Sequence, residues 1–415
     1  MSRPLVRLRP IPWVVVGLTV LLLVAALRPL IPIRDAVDGS VVADARLERS
    51  VAYTSLGPIS SVFDAMTLFT VGQIVGFTLW LMALYVVARF RRRRRLAPSV
   101  ARETVYALLA LVGLLLVYAA VILLPRPMAR LIVTRTDVIA VDFHSHTRYS
   151  HDGRPGWSSA NVRDWHDDAG YNAVYITDHA TFEGAAEGVL LDTTLAGHGT
   201  LLLPGLEAFY HGEHVNILNA GYRYKGLTSA DFREIDDQGL ALASRIPGLE
   251  PVLIETIPGN LSKMIPAHGP GTFGVRAIEI VDGSPRGMSQ TRRDHDRIVW
   301  LADSLNLALV AGTDNHGWGR TAAGWTLLRV PEWRAFGPDG LARDIETILR
   351  LAGRTGTRVV ERTTASAAPI AVAVTLPAVV WTVMRTLSTA ERVAWLAWFW
   401  VCWLIVAILR SRSAS

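Results

Sequence analysis

The chain has 415 residues, enough for more than one domain. It is 51% hydrophobic and 19% charged, against about 25% charged in ordinary soluble domains, so membrane segments are expected and a wholly soluble chain is not. The net charge is +6, but six of the 42 basic residues sit at Arg89 and Arg91 to Arg95, and the single cysteine is Cys402; the basicity therefore reads as a juxtamembrane signal rather than a nucleic-acid surface, and an internal disulfide framework or a Cys-based zinc site is excluded.

In chain order, the first apolar stretch runs from Pro12 to Ala26 and continues through Leu27 and Leu30. The second runs from Met66 to Val87 and the third from Val105 to Leu124. Each approaches the about 20 residues that a spanning helix needs. Arg3, Arg7 and Arg9 precede the first, as they would in a signal peptide. No small-residue cleavage site follows, and further apolar stretches do, so an anchor is expected. Arginine bias orients the chain. The first residues and the cluster at 89–95 belong on the cytoplasmic side, and the loop at 28–65 belongs outside. Residues 1–125 are thus expected to form a membrane region with three transmembrane helices. The region after them is expected on the outer face of a multi-pass cell-membrane protein. The stretches hold almost no ionisable residue apart from Asp64 at an edge, so they read as anchors and not as a solute pathway.

Residues 138–362 read differently. Ile139 to Phe143 has the pattern of a strand, and Ser158 to Ala169 that of a helix ended by Gly170. Ala173 to Thr177, Leu201 to Leu203, His214 to Leu218 and Ala277 to Val281 read as strands. A helix from Ser289 to Leu305, the strand Ala308 to Ala311 and a helix from Asp339 to Leu351 follow. Such alternation argues for α/β architecture with parallel strands, in which ligands collect at the carboxyl ends of the strands. Residues 225–265 are polar and irregular, and their position suggests a lid or substrate-selecting insertion. Beyond the domain, Ala367 to Val383 and Val393 to Leu409 are expected as a transmembrane hairpin over 366–410, with Ser388 and Glu391 at capping-box spacing in its turn. That hairpin leaves Arg410 and Arg412 outside, against the arginine rule. Trp395, Trp398, Trp400 and Trp403 read as aromatic anchors, and Cys402 as a packing residue.

The polar residues that stand out fall at strand ends. His144 and His146 lie two apart on one strand, so both imidazoles share a face, and Asp142 shares it. Asp152 follows in a turn, Asp178 and His179 end the next strand, and Glu207 ends another. His214 starts a short strand, His268 ends Met264-Ile265-Pro266-Ala267, and Asp314 and His316 end the last strand, again two apart. One histidine is weak evidence, but His, Asp or Glu at five successive strand ends points to a metal centre. Nitrogen and oxygen donors without sulfur suit Zn, Mn or Fe.

The motifs His144-Ser145-His146-Thr147, Ile176-Thr177-Asp178-His179, Gly205-Leu206-Glu207, Pro266-Ala267-His268 and Gly312-Thr313-Asp314-Asn315-His316 resemble the polymerase and histidinol phosphatase (PHP) superfamily over about 138–362. Glu207 followed by His214-x-Asn216 looks most like its phosphoesterase branch, which also includes hydrolases of carbamate esters. The resemblance implies a distorted (β/α)7 barrel with two or three divalent ions at the carboxyl face of the strands. It implies that His144, His146, Glu207 and Asp314 hold the first ion. Glu207 would bridge to a second, held by His268 and His214, and Asp152, His179 and His316 would hold a third. His151 beside Asp152 is an alternative ligand; Asp152 is the expected one. Asp178 is expected to orient a neighbouring histidine. Asp314, His316 and Arg148 are the expected catalytic residues, Arg148 as a phosphate clamp, with a solvated surface arginine as its other reading. Arg320 is a weaker candidate.

His166 is expected at a helix C-terminus or surface, His295 on a charged helix face, His198 in a loop, and His211 at most at the margin of the site. The expected activity is hydrolysis of a phosphate ester by water activated between cations. A phosphorylated small molecule or a lipid head group is the expected substrate, and nucleic acid is not. A carboxylic or carbamate ester would suit the same site. A silent metal-binding sensor is the reading from another class.

Overall fold

The computed structural model describes residues 13–92, 99–192, 195–218, 233–243, 250–257, 259–268, 272–367 and 373–412. Its helices in chain order are α1 (Trp13–Ala26), α2 (Val51–Ser55), α3 (Gly57–Thr67), α4 (Val71–Arg92), α5 (Val100–Leu123), α6 (Ser159–Ala169), α7 (Glu183–Leu191), α8 (Asp237–Ala243), α9 (Pro285–Leu305), α10 (Pro338–Leu351), α11 (Thr375–Thr386) and α12 (Thr389–Arg412). The strands are β1 (Ile33–Asp35), β2 (Ala45–Arg49), β3 (Ala129–Val133), β4 (Val138–Ser145), β5 (Ala173–Ile176), β6 (Leu201–Tyr210), β7 (Glu213–Leu218), β8 (Glu234–Ile235), β9 (Val252–Glu255), β10 (Val275–Asp282), β11 (Ala308–Gly312), β12 (Gly324–Arg329) and β13 (Thr357–Arg362).

One mixed sheet has the order β1-β13-β12-β4-β5-β6-β7-β9-β10-β11. It curls until β11 returns to β4, where Ser145 bridges Asn315 and the Asp314 N–H donates to the His144 carbonyl. Seven strands, β4 to β7 and β9 to β11, therefore ring a half-barrel. β7 runs antiparallel to both β6 and β9, which departs from an all-parallel wall. The cause is local: Tyr210 pairs with Glu213, and the two residues between them, His211 and Gly212, both have positive φ. That is the type I′ hairpin turn, so the chain folds straight back and β7 is not the parallel strand expected.

The concave side is filled by one apolar core. Ile139, Val141, Phe143, Tyr175, Leu203, Ile254 and Val310 pack there with Leu341, Ile345 and Leu349 of α10. Outside, α6 is started by a Ser158–Asn161 capping box and stopped by Gly170 at φ 90°. α9 starts at Pro285 behind the Ser284 cap and ends at Asn306 in the left-handed region. β9 forms part of the barrel wall, so the expected insertion at 225–265 is only partly an insertion; residues 225–232, 244–249 and 258 of it lie outside the described residues.

Among the described residues, three helices are long and apolar enough to cross a membrane: Val71–Arg91, Val100–Leu123 and Thr389–Leu409. On α5, Leu108, Leu109, Leu115 and Leu116 are exposed, which suits lipid as the solvent. Of the five expected spans, the first is represented by the 14 residues of α1 and the fourth by the 12 of α11, both shorter than the about 20 that a span requires. The expected capping box at α12 is present, with Ser388 and Glu391 bonded reciprocally.

The loop between α1 and α4 does not stand apart from the central region. β1 pairs with β13, Asp35 binds Arg358 at 2.9 Å, and β2 pairs with β3. Chain on both sides of the α4–α5 pair thus joins one folded body.

Candidate metal centre

Strand ends bring the cluster together. His144 and His146 come from the end of β4, His179 from beyond β5, Glu207 from β6, His214 from β7, and Asp314 and His316 from beyond β11. His144 Nε2 lies 3.1 Å from Glu207 Oε2 and 3.5 Å from Asp314 Oδ1. His146 Nε2 lies 3.4 Å and 3.3 Å from the same two oxygens. Donor atoms on a tetrahedral ion with arms of about 2.0–2.1 Å are separated by about 3.3 Å, so these four atoms are spaced as ligands of one cation. His146 Nε2 and His316 Nε2 are buried and have no hydrogen-bond partner. Buried polar atoms are normally partnered; a cation beside His144, Glu207 and Asp314 would satisfy the first, and one beside Asp152 and His179 the second.

Glu207 uses both oxygens. Oε2 lies 3.1 Å from His179 Nδ1, and Oε1 lies 2.9 Å from His214 Nδ1. The β6–β7 hairpin explains the short spacing from Glu207 to His214, because it folds His214 back beside the carboxylate. Asp152 Oδ1 lies 3.1 Å from His316 Nε2 and 3.8 Å from His179 Nε2. His151, its exposed neighbour, belongs with Asp152 and His179 to a group of close donor atoms.

Electrostatics prepares the donors. Burial holds the His146 imidazole down at about 3, so it is neutral and offers lone pairs. Burial works against ionisation of Glu207 and Asp314, but His144 and the other histidines outweigh it and hold both carboxylates well below the usual range. Asp314 has φ 46°, a conformation that costs most residues about 1 kcal/mol or more and that aims its carboxylate back at His144 and His146.

The supporting residues explain the precision. Asp178 accepts from the Thr147 N–H at 2.6 Å, the Thr147 hydroxyl at 2.7 Å and the Ser150 hydroxyl at 3.0 Å, and Ser150 Oγ lies 2.9 Å from His146 Nδ1. Asp178 thus fixes the turn that holds His146. Asp142 faces elsewhere than its spacing suggests. A register irregularity between Asp142 and Ser145 turns it to the Thr313 N–H at 2.9 Å and His166 Nε2 at 2.7 Å. His166 is accordingly buried against β4, not at a surface.

Glu279 and Asp282 were not among the expected residues. Glu279 Oε1 lies 2.9 Å from His144 Nδ1, and its Oε2 accepts from the Ile257 N–H at 3.1 Å. With Nδ1–H donated to Glu279, His144 presents Nε2 to the cluster, as in carboxylate–histidine–metal arrangements. The available signal was a carboxylate inside the apolar run Ala277 to Val281, where burial demands a partner. Glu279→Gln is expected to lower metal affinity about 10–100-fold, measured by metal titration, while the fold survives.

His268 is not brought to the cluster: it is exposed, and its N–H donates to Thr272 Oγ1 at 2.9 Å. Arg148 pairs with Glu187 at 3.2 Å and stacks on Tyr149. Arg320 pairs with Asp168. His211 is a turn residue 3.8 Å from Asp237.

One neighbouring carboxylate gives a pH test. Burial, with Glu213 and Glu279 nearby, pushes Glu255 up to about 8, and neither of its oxygens has a hydrogen-bond partner. Between its ordinary value and 8 the folded protein binds the extra proton, so stability falls as pH rises through that window. Glu255→Gln is therefore expected to raise the unfolding temperature at pH 8 and to leave it nearly unchanged at pH 5.

No family model and no curated protein matches the chain. Among solved structures it is similar to PsfC from Pseudomonas syringae PB-5123, with 17% identity over 58% of this chain and 98% of that one, at a TM-score of 0.38. It is also similar to the lesion-specific endonuclease EndoQ from Pyrococcus furiosus, with 12% identity over 54% and 57% of the two chains, at 0.37. A third similar structure is a two-domain protein from Bacteroides vulgatus described as containing a predicted PHP-like metal-dependent phosphoesterase, with 16% identity over 54% and 64%, at 0.31.

Proposed function

We propose that the chain is a membrane-anchored, metal-dependent phosphoesterase whose catalytic domain lies on the outer face. The observation that carries this reading is the convergence of His144, His146, Glu207 and Asp314 at ligand spacing, with the buried His146 Nε2 lacking a hydrogen-bond partner among the described residues. His144, His146, Glu207 and Asp314 would hold one ion; Glu207, His179 and His214 a second; Asp152, His179 and His316 the remaining donor group. Divalent cations so placed polarise phosphoryl oxygens and acidify water. The chain itself orients the donors through Glu279 and Asp178 and keeps Glu207 and Asp314 ionised. The motif resemblance supplies the bond type. The test is elemental analysis of the full-length protein in detergent, with phosphate release from a phosphomonoester. Two or three ions per chain and turnover are expected, and a folded chain without bound metal would overturn the reading.

Sidedness rests on the helix ends. The C-termini of α1 and α5 and the N-termini of α4 and α12 meet the central domain: Thr363 N–H donates to the Pro32 carbonyl, Gly319 N–H to Ile122, Val71 N–H to Ser289, and Arg49 pairs with Glu391. The sequence at or beyond each opposite end carries arginine: Arg3, Arg7 and Arg9, then Arg91 to Arg95, Arg102, and Arg410 with Arg412. The fourth stretch supports the same topology. Gln73 Nε2 donates to the Ala365 carbonyl at the start of α4, Trp80 Nε1 to Ala373 deeper along it, and the Leu30 N–H to Arg385 back at the domain side. A segment that enters and returns leaves α12 to cross inward, which brings Arg410 and Arg412 into line with the arginine rule. A cysteine at Glu332 is expected to react with a membrane-impermeant maleimide in intact cells.

A further inference from the structure

The strand ends that carry the metal centre lie beside the ends of the membrane-crossing helices, and from this we infer that its mouth faces the bilayer and that the substrate is a phosphate ester carried on a membrane lipid, an inference that rests on the phosphoesterase reading above. The donors sit at the carboxyl ends of β4, β5, β6 and β11. Segments leaving that same end of the sheet touch the ends of α5 and α4 and the helix α3 beside them. After β11, His316 belongs to the cluster, and three residues later the Gly319 N–H donates to the Ile122 carbonyl in the last turn of α5 at 2.8 Å. After β10, Ser289 Oγ accepts from the N–H of Val71, the first residue of α4, at 3.1 Å. At the end of β13, Arg362 binds Asp64 of α3 at 2.9 Å. At the opposite end of the sheet, Trp333 and Arg334 donate to the Thr136 carbonyl, within the catalytic domain.

Distance decides the matter. Three residues of extended chain span at most about 10 Å, so His316 lies within about that distance of the end of a spanning helix. The head-group layer of one leaflet is about 5–8 Å deep. A lipid phosphate therefore comes within reach of the cluster without leaving its leaflet. Trp318, between His316 and Gly319, is 41% exposed, and an exposed indole beside a helix end is the residue favoured at a membrane interface. A cleft of about 940 Å³ beside the start of α4 is lined by Arg34, Arg292, Arg293 and His295 together with Asp38, Asp282 and Glu361. Arg34 pairs with Glu361 and Arg293 with Asp294, whereas Arg292 has no ion pair within 4.0 Å among the described residues and bonds Gln73 at 3.4 Å. In the reaction the oxygen of water bonds to phosphorus, the bond from phosphorus to the lipid oxygen breaks, and the lipid alcohol takes up the proton that water releases. The alcohol stays in the membrane and the phosphate leaves.

The test uses the full chain in nanodiscs, with two readouts. Spin labels are placed at Trp318→Cys and, as a control at the far end of the barrel, at Glu332→Cys, both in a Cys402→Ser background. Power saturation is expected to place position 318 at head-group depth and position 332 in water. Position 318 in bulk water would overturn the inference and leave the phosphoesterase reading standing. Turnover of phosphatidic acid in the nanodisc is then compared with that of p-nitrophenyl phosphate. Co-localisation in one membrane is expected to raise kcat/KM for the lipid about 100-fold or more. Equal or better turnover of the soluble ester would sink the lipid assignment alone. Metal-loaded protein that hydrolyses neither would sink both readings.

Discussion

Asp314→Asn is expected to strip metal from the site and to lower turnover on the order of 10³-fold or more. Asparagine is the informative choice because it tolerates the left-handed backbone that Asp314 adopts at φ 46°, so the turn survives and only the charge is lost. Asp314 Oδ1 is shared by His144 at 3.5 Å, His146 at 3.3 Å and His316 at 3.4 Å. Its neutralisation therefore weakens two donor groups at once. Elemental analysis should show at least one ion fewer per chain, and circular dichroism should be unchanged. Retained metal with unimpaired turnover would remove Asp314 from the centre.

The legible part of the site was the part encoded locally. His144 and His146, and Asp314 and His316, declare themselves because a two-residue repeat at a strand end places donors together without knowledge of the rest of the fold. Glu207 was readable for the same reason. His214 is held by a hairpin whose turn, His211-Gly212, decides the direction of a whole strand. Glu279 and His166 act through partners 135 and 24 residues away, and nothing near them in sequence names those partners. His268 stands at a strand-like end but was not carried to the cluster, so position at such an end is not sufficient. The fold divides similarly. Strands inside βα repeats announced themselves by apolar runs, while β1, three residues between membrane segments, joins the sheet through pairing with residues more than 300 positions away. Of the fourth apolar stretch, the described helix α11 covers 12 residues, and residues 368–372 lie outside the described residues.

Asp64→Ala is expected to destabilise the whole chain by about 3–5 kcal/mol, the usual cost of removing one partner from a buried ion pair. Asp64 lies at the junction of membrane helices and catalytic domain and is 1% exposed. Its Oδ1 accepts from Arg126 at 3.3 Å and Thr321 at 2.9 Å, and its Oδ2 from Tyr53 and Arg362, both at 2.9 Å. One carboxylate thus ties α2 and α3 to the end of α5, to the segment that carries Gly319, and to the end of β13. Without it, Arg126 and Arg362 remain buried with no counter-charge, and the polar cost exceeds what the alanine methyl recovers. Thermal unfolding in detergent measures the loss. The double variant Asp64→Leu with Arg362→Met should recover part of it, because it removes one of the two stranded charges and leaves only Arg126. The same tie bears on function: releasing Thr321 frees the segment that carries His316, so if the centre works on a membrane lipid as proposed, turnover of phosphatidic acid in nanodiscs should fall further than turnover of a soluble ester in detergent. A loss below about 1 kcal/mol would mean instead that the apolar contacts of Met66, Phe69, Val121 and Val379 hold the junction on their own.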